Sequence, residues 1–291
     1  MPKPASPYRG RFAPSPSGPL HAGSLVAALG SYLDARANDG LWLVRIEDID
    51  PPREVAGADQ QILAQLEAHG LLWDQNVRWQ SKQSALYESN LQLLAEHQLV
   101  YACDCTRKAI KARAPFYTGY CRNRKLPWSG NALRLKNDGP VTSFADRAHG
   151  QVEIETEFAA EDFTLRRRDG LWAYQLAVVS DDRDQGITHI VRGSDLLTPS
   201  SWQMALWQSL NRLSAQGSLP SLLHLPLVTG ADGLKLSKQN HAPAIESANA
   251  PKNINEAIIS LGFDLPQELL MAPVAEQLAW ATSAWRERFA I

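Results

Sequence analysis

Apolar positions along the chain keep two rhythms. Leu41-Trp42-Leu43-Val44-Arg45-Ile46 is a short β-rich run, and the Ile-Thr-His-Ile-Val core of Gly186 to Asp195 is strongly β-forming. Helical spacing takes over between such runs. From Ser24 to Leu33 apolar residues recur at helical intervals among strong helix formers. Ala58 to His69 places Ile62, Leu63 and Leu66 on one face and stops at Gly70, Ser84 to His97 repeats that pattern, and Trp202 to Leu213 is the clearest helix of the second half. Val141 to Glu155 reads as a small β segment, Asp162 to Gly170 as strand and turn running into the apolar stretch Leu171–Val179, and Leu222 to Val228 as a further short strand. The last fifty or so residues predict two or three helices. Short strands alternating with helices predict an α/β fold.

The stretch from Arg11 to Ser24 breaks both rhythms. Pro14, Pro16 and Pro19, with Gly18, keep it out of a helix, because proline fixes φ, lacks an N–H and disfavours the α region for the residue before it. A rigid loop therefore feeds a helix N-terminus, whose unpaired N–H groups and positive dipole end suit an anion, with His21 and Ser24 beside it as donors. Strand Leu41–Ile46 runs into Glu47 and Asp48, which places both acids at the carboxyl edge where open α/β sheets bind ligands. Asp48, Asp181, Asp182 and Asp195 read as loop and cap residues.

Composition narrows the class. The chain has 291 residues, 44% apolar and 21% charged, the profile of an ordinary soluble protein with a full-sized core. No apolar run approaches the ~20 residues a bilayer span needs, and the N-terminus does not begin a signal peptide, so the expected partners exclude a membrane and the expected location is cytoplasmic. Net charge is −2, so nucleic-acid contact requires a local patch. Between Cys105 and Asn137 lie nine basic residues and no Asp or Glu, which reads as an RNA-facing surface. Cys103, Cys105 and Cys121 are an odd number within nineteen positions, which suits a metal site in a reducing compartment better than disulfides. Cys-x-Cys is tighter than the usual zinc spacing, and no His lies between Cys103 and Arg147 to complete a tetrahedron.

Two further segments pair across the chain. His21-Ala22-Gly23-Ser24 and Lys235-Leu236-Ser237-Lys238-Gln239 resemble the His-x-Gly-His and Lys-Met-Ser-Lys-Ser signatures of class I aminoacyl-tRNA synthetases. Together with Arg11-Phe12-Ala13-Pro14-Ser15, Arg45-Ile46-Glu47-Asp48, Asp181-Asp182 and Gly186 to Asp195, in this order, they resemble the glutamyl branch. The first signature with Ser24 in place of its second His, the Cys-x-Cys with a later Tyr-x-x-x-Cys, and the short tail after the second signature are similar to the members that glutamylate queuosine in a tRNA anticodon. That resemblance implies a Rossmann-like catalytic domain in two halves, residues 1–101 and 162–239. A zinc-containing, acceptor-type insert at 102–161 and a short helical extension at 240–291 complete it.

The resemblance also implies ligands and roles. L-Glutamate is activated with ATP, with Mg2+, and passed to queuosine in tRNA(Asp). His21, Lys235 and Lys238 would be catalytic. His21, Gly23, Ser24 and Lys238 would bind ATP. Arg11, Phe12, Ala13, Pro14, Ser15, Glu47, Tyr174 and Arg192 would bind glutamate. Cys103, Cys105, Cys121 and Tyr117 would hold one structural Zn2+, with Tyr120 an alternative to Tyr117. Physical chemistry supports the first half independently. An acyl adenylate needs a phosphate seat, an amino-acid clamp and cations for charge moving onto pyrophosphate. A substrate with two carboxylates and one ammonium asks for arginine and an acid, and Arg11, Arg192 and Glu47 stand at strand ends. Two other readings compete: a minimal glutamyl-tRNA synthetase charging a tRNA 3′ end, and a non-catalytic tRNA-binding paralogue.

Overall fold

Strand β1 (Arg9–Phe12) leaves the proline loop at its C-terminal end and pairs in parallel with β2 (Leu41–Ile46), matching Arg11 to Leu43 and Phe12 to Val44. The computed structural model describes residues 7–214, 217–227 and 243–289. Helix α1 (Ala22–Ala37) crosses between those strands, followed by α2 (Ala58–Ala68) and the two-residue β3 (Arg78–Trp79), which extends the sheet in the order β1-β2-β3. Then come α3 (Ser84–Glu96), β4 (Val100–Cys103), α4 (Arg107–Lys111), β5 (Ala132–Leu135), β6 (Ser143–Asp146), β7 (Gly150–Glu153), α5 (Thr156–Ala159) and β8 (Thr164–Arg166). Helix α6 (Tyr174–Asp184), β9 (His189–Gly193), α7 (Ser200–Ser214), β10 (Ser221–Leu225), α8 (Ala250–Ser260) and α9 (Val274–Phe289) complete the chain.

The predicted helices and strands are present among the described residues, with ends shifted by up to four residues; Val228 lies outside the described residues. A second sheet has the order β7-β6-β10-β9, parallel except for the β6–β7 hairpin. It meets the first sheet at β1 and β9, where the Thr188 N–H donates to the Arg9 carbonyl at 3.0 Å. Strand order therefore reverses between β1 and β9, and a doubly wound sheet offers its ligand crevice at such a switch point. Strands β4, β5 and β8 form a separate antiparallel sheet. Two apolar cores follow this division: one gathers α1, β1, β2, α8 and α9, the other α3, β4, β5, β8, α6 and α7.

Asp34 ties the first core together. It is fully buried on α1 and accepts from the Tyr8 hydroxyl at 2.5 Å, from both Arg147 Nη groups at 2.7 and 2.8 Å, and from Trp285 Nε1 at 2.8 Å. One carboxylate thus fastens the entry to β1, the β6–β7 turn and the C-terminal helix. Asp34→Asn leaves Arg147 without its counterion and turns one accepting oxygen into a donor. It is expected to lower unfolding free energy by about 3 kcal/mol, read as an earlier midpoint in urea at unchanged m-value.

Candidate active site

His21 is the N-cap of α1, in extended backbone conformation, and its Nδ1 accepts from the Ser24 N–H at 3.3 Å. The Ser24 hydroxyl accepts from the His21 N–H at 2.8 Å and sits 2.8 Å from the His21 carbonyl, closing a capping box. This corrects the expectation of two donors waiting at the helix start. Nδ1 of His21 and the hydroxyl of Ser24 serve the helix itself, because a first-turn N–H left unpaired costs about 1 kcal/mol. With Nδ1 accepting, the His21 proton lies on Nε2. Ala244 bridges to His21, and the Ile245 N–H donates to the Leu20 carbonyl at 2.9 Å. Gln65 fixes this edge from below, taking the Leu20 N–H and donating to the Ile245 carbonyl. Lys235 and Lys238 lie outside the described residues.

Four expected glutamate residues converge at the switch point. Arg11 and Arg192 stand near the C-terminal ends of β1 and β9, Glu47 directly follows β2, and Tyr174 opens α6. The electrostatics record their closeness: burial raises the Tyr174 hydroxyl pKa, and the charges acting on it are Glu47, Arg192, Arg11 and Asp182. The loop holds position through backbone bonds. The Glu47 N–H donates to the Pro14 carbonyl at 2.9 Å, and Phe12 and Pro14 are buried while Ser15 is exposed.

Arg11 and Arg192 differ in how they are partnered. Arg11 grips Asp182 with Nε at 2.9 Å and Nη2 at 3.2 Å. Asp182 also takes Arg45 Nη1 at 2.7 Å, while Asp181 takes Arg78 at 3.1 Å, Gln80 at 2.8 Å and the Tyr87 hydroxyl at 2.7 Å. Asp181 and Asp182 are therefore not loop or cap residues. They lie within α6, buried, as counterions to arginines of β1, β2 and β3. Burial raises the Asp182 pKa, but Arg11 and Arg45 together hold it below the usual carboxylate range. Arg192, equally buried, donates to His224 and Ser200 and meets no carboxylate among the described residues; its Nη1 is buried without any partner. Burial accordingly lowers its pKa. Asp48 keeps a loop role, accepting from the Ser81 N–H and hydroxyl at 2.9 and 2.6 Å.

The sequence reading gave no role to Ser200 and His224, which touch Arg192, to Asp146 behind His224, or to Arg45, which sits on β2 with 0% exposure. Arg45 did carry a signal, since an arginine inside an apolar strand needs buried acids to face it.

A second cluster lies beside β4. The cysteine sulfurs of Cys103, Cys105 and Cys121 all lie within 4.8 Å of one another, and the Cys105 and Cys121 sulfurs are 3.6 Å apart. That separation matches the ~3.8 Å edge of a tetrahedron with zinc–sulfur bonds of about 2.3 Å. The Tyr117 hydroxyl accepts from the Cys121 N–H at 2.9 Å and touches the thiols of Cys103 and Cys121. Tyr117 is 3% exposed and Tyr120 55%, with Tyr120 lying under the Arg113 guanidinium at 3.9 Å instead. The basic run is less open than its composition implied. Arg124 and Lys136 pair with Asp104 and Asp138, which flank the counted window, and Arg122 and Arg134 with Asp162 and Glu161, well beyond it. Arg107, Lys108, Lys111, Arg113 and Lys125 stay exposed.

Residues 8–118 and 120–261 match the family described as tRNA synthetases class I (E and Q), catalytic domain. The Glutamyl-Q tRNA(Asp) synthetase of Idiomarina loihiensis is 56% identical over 284 residues, 98% of this chain and 99% of that protein. The protein of the same name from Vibrio parahaemolyticus is 50% identical, covering 96% of this chain and 92% of its own. Among solved structures, a glutamate tRNA ligase from Elizabethkingia meningosepticum in complex with its amino acid superposes with a TM-score of 0.73 at 26% identity, covering 94% of this chain and 64% of that one. The glutamate-tRNA synthetase of Elizabethkingia anophelis gives 0.74 at 24% identity, covering 94% and 65%. The chain thus spans just under two thirds of those two synthetases and nearly the whole of the curated relatives. No helix among the described residues is long and apolar enough to cross a membrane.

Glu47 gives this site a pH signature. Burial pushes its pKa up from 4.5 to about 7, despite the opposing pull of Arg45 and Arg11. A raised folded-state pKa means that the stability of the neutral form is full below 4.5 and is lost as pH rises through about 7. Glu47→Gln is therefore expected to be more stable than the parent at about pH 8, by up to about 3 kcal/mol, and equal to it near pH 4.5. Melting both proteins across that range checks it.

Proposed function

The chain belongs to the glutamyl-Q tRNA(Asp) synthetases, within the class I tRNA synthetases for glutamate and glutamine, and from that premise we propose that it joins glutamate to queuosine in tRNA(Asp). In the first step the α-carboxylate of L-glutamate attacks the α-phosphorus of ATP, supplied with Mg2+, and pyrophosphate leaves. In the second a hydroxyl of the queuosine diol attacks the activated carbonyl, loses its proton, and AMP leaves. ATP use follows from class I membership. The acceptor is supported by the names of the curated relatives, which cover this chain end to end.

One observation carries the amino-acid half: Arg192 Nη1, buried and unpartnered beside Glu47 and Tyr174. A guanidinium held that way suits a substrate carboxylate, which returns what burial costs it. Arg11, with Asp182 as counterion, borders the same pocket as a second donor. Glu47 takes the α-ammonium, which relieves a carboxylate that otherwise sits desolvated, and Tyr174 donates its hydroxyl. Phe12, Ala13, Pro14 and Ser15 form the wall. Glutamine is refused because an amide leaves the buried arginine without a counter-charge, a loss of about 3–5 kcal/mol, while aspartate, one methylene shorter, is refused by about 1–3 kcal/mol.

For the nucleotide, His21 Nε2 and the backbone of Gly23 at the start of α1 face the phosphates, with Ser24 keeping that turn in shape. Lys235 and Lys238 meet the charge that builds on pyrophosphate. That role is supported by the course of the chain, since Ala244, six positions after Lys238 in sequence, bridges to His21. Cys103, Cys105, Cys121 and Tyr117 hold a structural Zn2+. Arg134, 3.9 Å from the Tyr117 ring centre, stacks on that ring and keeps it in place. The exposed lysines and arginines of α4 and the following loop meet RNA phosphates.

Incubation with labelled glutamate, ATP and queuosine-containing tRNA(Asp), followed by nuclease digestion, is expected to leave label on the anticodon fragment. Label only on the terminal adenosine would replace this reading with 3′-end charging, and absence of glutamate-dependent pyrophosphate exchange would favour a non-catalytic paralogue. Metal analysis of the purified protein is expected to find one zinc per chain, falling well below half in Cys121→Ser, with melting lowered by chelator in the parent.

A further inference from the structure

Arg192 is placed from behind by two other strands. Its Nε–H donates to Nε2 of His224 at 3.2 Å and its Nη2 to the Ser200 hydroxyl at 2.8 Å. His224, on β10 and fully buried, turns its other nitrogen toward Asp146, with Nδ1 2.7 Å from Oδ2. Asp146 ends β6, and its second oxygen accepts the N–H groups of Ala148, His149 and His224 at 3.0, 3.1 and 3.3 Å. The carboxylate is thus locked from the side away from the imidazole.

Nε2 of His224 faces two groups, the Arg192 Nε–H and, at 3.1 Å, the Ser200 hydroxyl, whose own proton goes to the Leu196 carbonyl at 2.7 Å. Only a ring with Nε2 unprotonated can take the Arg192 N–H. A carboxylate beside Nδ1 calls for the proton there, and Nε2 is then a lone pair for the Arg192 Nε–H. The other tautomer, or the doubly protonated ring, would set N–H against N–H. Charged and titratable groups facing His224 are Asp146, Arg192 and His149, so a single carboxylate decides the form.

We propose that Asp146 and His224 are positioning residues for glutamate selection: Asp146 fixes the Nδ1–H tautomer of His224, and the Nε2 lone pair turns the Arg192 guanidinium so that Nη1 is presented to the substrate carboxylate. This rests on the reading of Arg192 as the carboxylate partner. It also explains the unusual state of that arginine. A carboxylate in direct contact would occupy the fork, as Asp182 does for Arg11, whereas a neutral imidazole orients the fork and leaves its charge for the ligand.

Asp146→Asn isolates the effect. Asn keeps an oxygen for the three backbone N–H groups and puts an N–H against Nδ1, forcing the His224 proton onto Nε2. In glutamate-dependent pyrophosphate exchange the glutamate KM is expected to rise by about tenfold or more, with kcat and the ATP KM within about twofold. Nitrogen NMR of the ring should report Nδ1–H in the parent and Nε2–H in the variant. Combined with Arg192→Gln, which alone raises the glutamate KM, Asp146→Asn should add less than about twofold, because its effect runs through Arg192. A normal glutamate KM in Asp146→Asn, or a parallel rise in the ATP KM, overturns the proposal. A normal glutamate KM in Arg192→Gln overturns the underlying reading instead. If Asp146→Asn does not fold, His224→Gln, which can still accept from Arg192 and donate to Asp146, is expected to keep a glutamate KM that His224→Leu loses. Equal loss in both rejects the positioning role.

Discussion

Asp182 held between Arg11 and Arg45 is the constraint on which the rest of the structure depends. The first arginine closes on it bidentately at 2.9 and 3.2 Å, the second at 2.7 Å, and all three side chains are shut off from water. Buried charges of this kind stand only when each has its partner, because an uncompensated one costs several kcal/mol. The contact therefore fixes the register of β1, β2 and α6 against one another, and Asp181 extends it to β3 through Arg78. It also settles which cation is available to a ligand. Arg11 arrives with its charge matched; Arg192, across the switch point, does not.

Much of the backbone was legible because local physics wrote it. Prolines fixed the loop, Ala-rich periodicity fixed α1, and β-branched runs fixed β2 and β9. The cysteine cluster was legible too, since three thiols crowded within nineteen positions have few other uses. Long-range pairing was not. Asp181 and Asp182 looked like loop acids because their partners, Arg11, Arg45 and Arg78, come from strands more than a hundred positions earlier. The basic run looked unopposed because Asp104 and Asp138 sit just beyond its ends and Asp162 comes from the approach to a later strand. Asp146 and His224 carry no local pattern at all, and only the pairing of β6 with β10 brings them together.

The β6–β7 turn does two jobs with adjacent residues. Asp146 faces His224 behind Arg192, while Arg147 reaches Asp34 on α1 and the Phe289 carbonyl at the end of α9. A single tight turn is thus held from both sides, by the carboxyl half of the sheet and by the helical layer over the amino half. Local loosening of that turn would be felt at both, which couples the C-terminal helix to the surroundings of Arg192 through two consecutive side chains.

Gly30 has a quieter part. It lies inside α1, where glycine is usually a weakness, and a Cβ built there would stand 2.6 Å from Cδ1 of Leu225, the residue next to His224. The helix capped by His21 and the strand that carries His224 meet here through the Leu225 side chain, which lies against bare helix backbone. A methyl group there would force the Leu225 side chain out of its place. The spacing between the capped start of α1 and the strand behind Arg192 thus rests on a side chain that is absent.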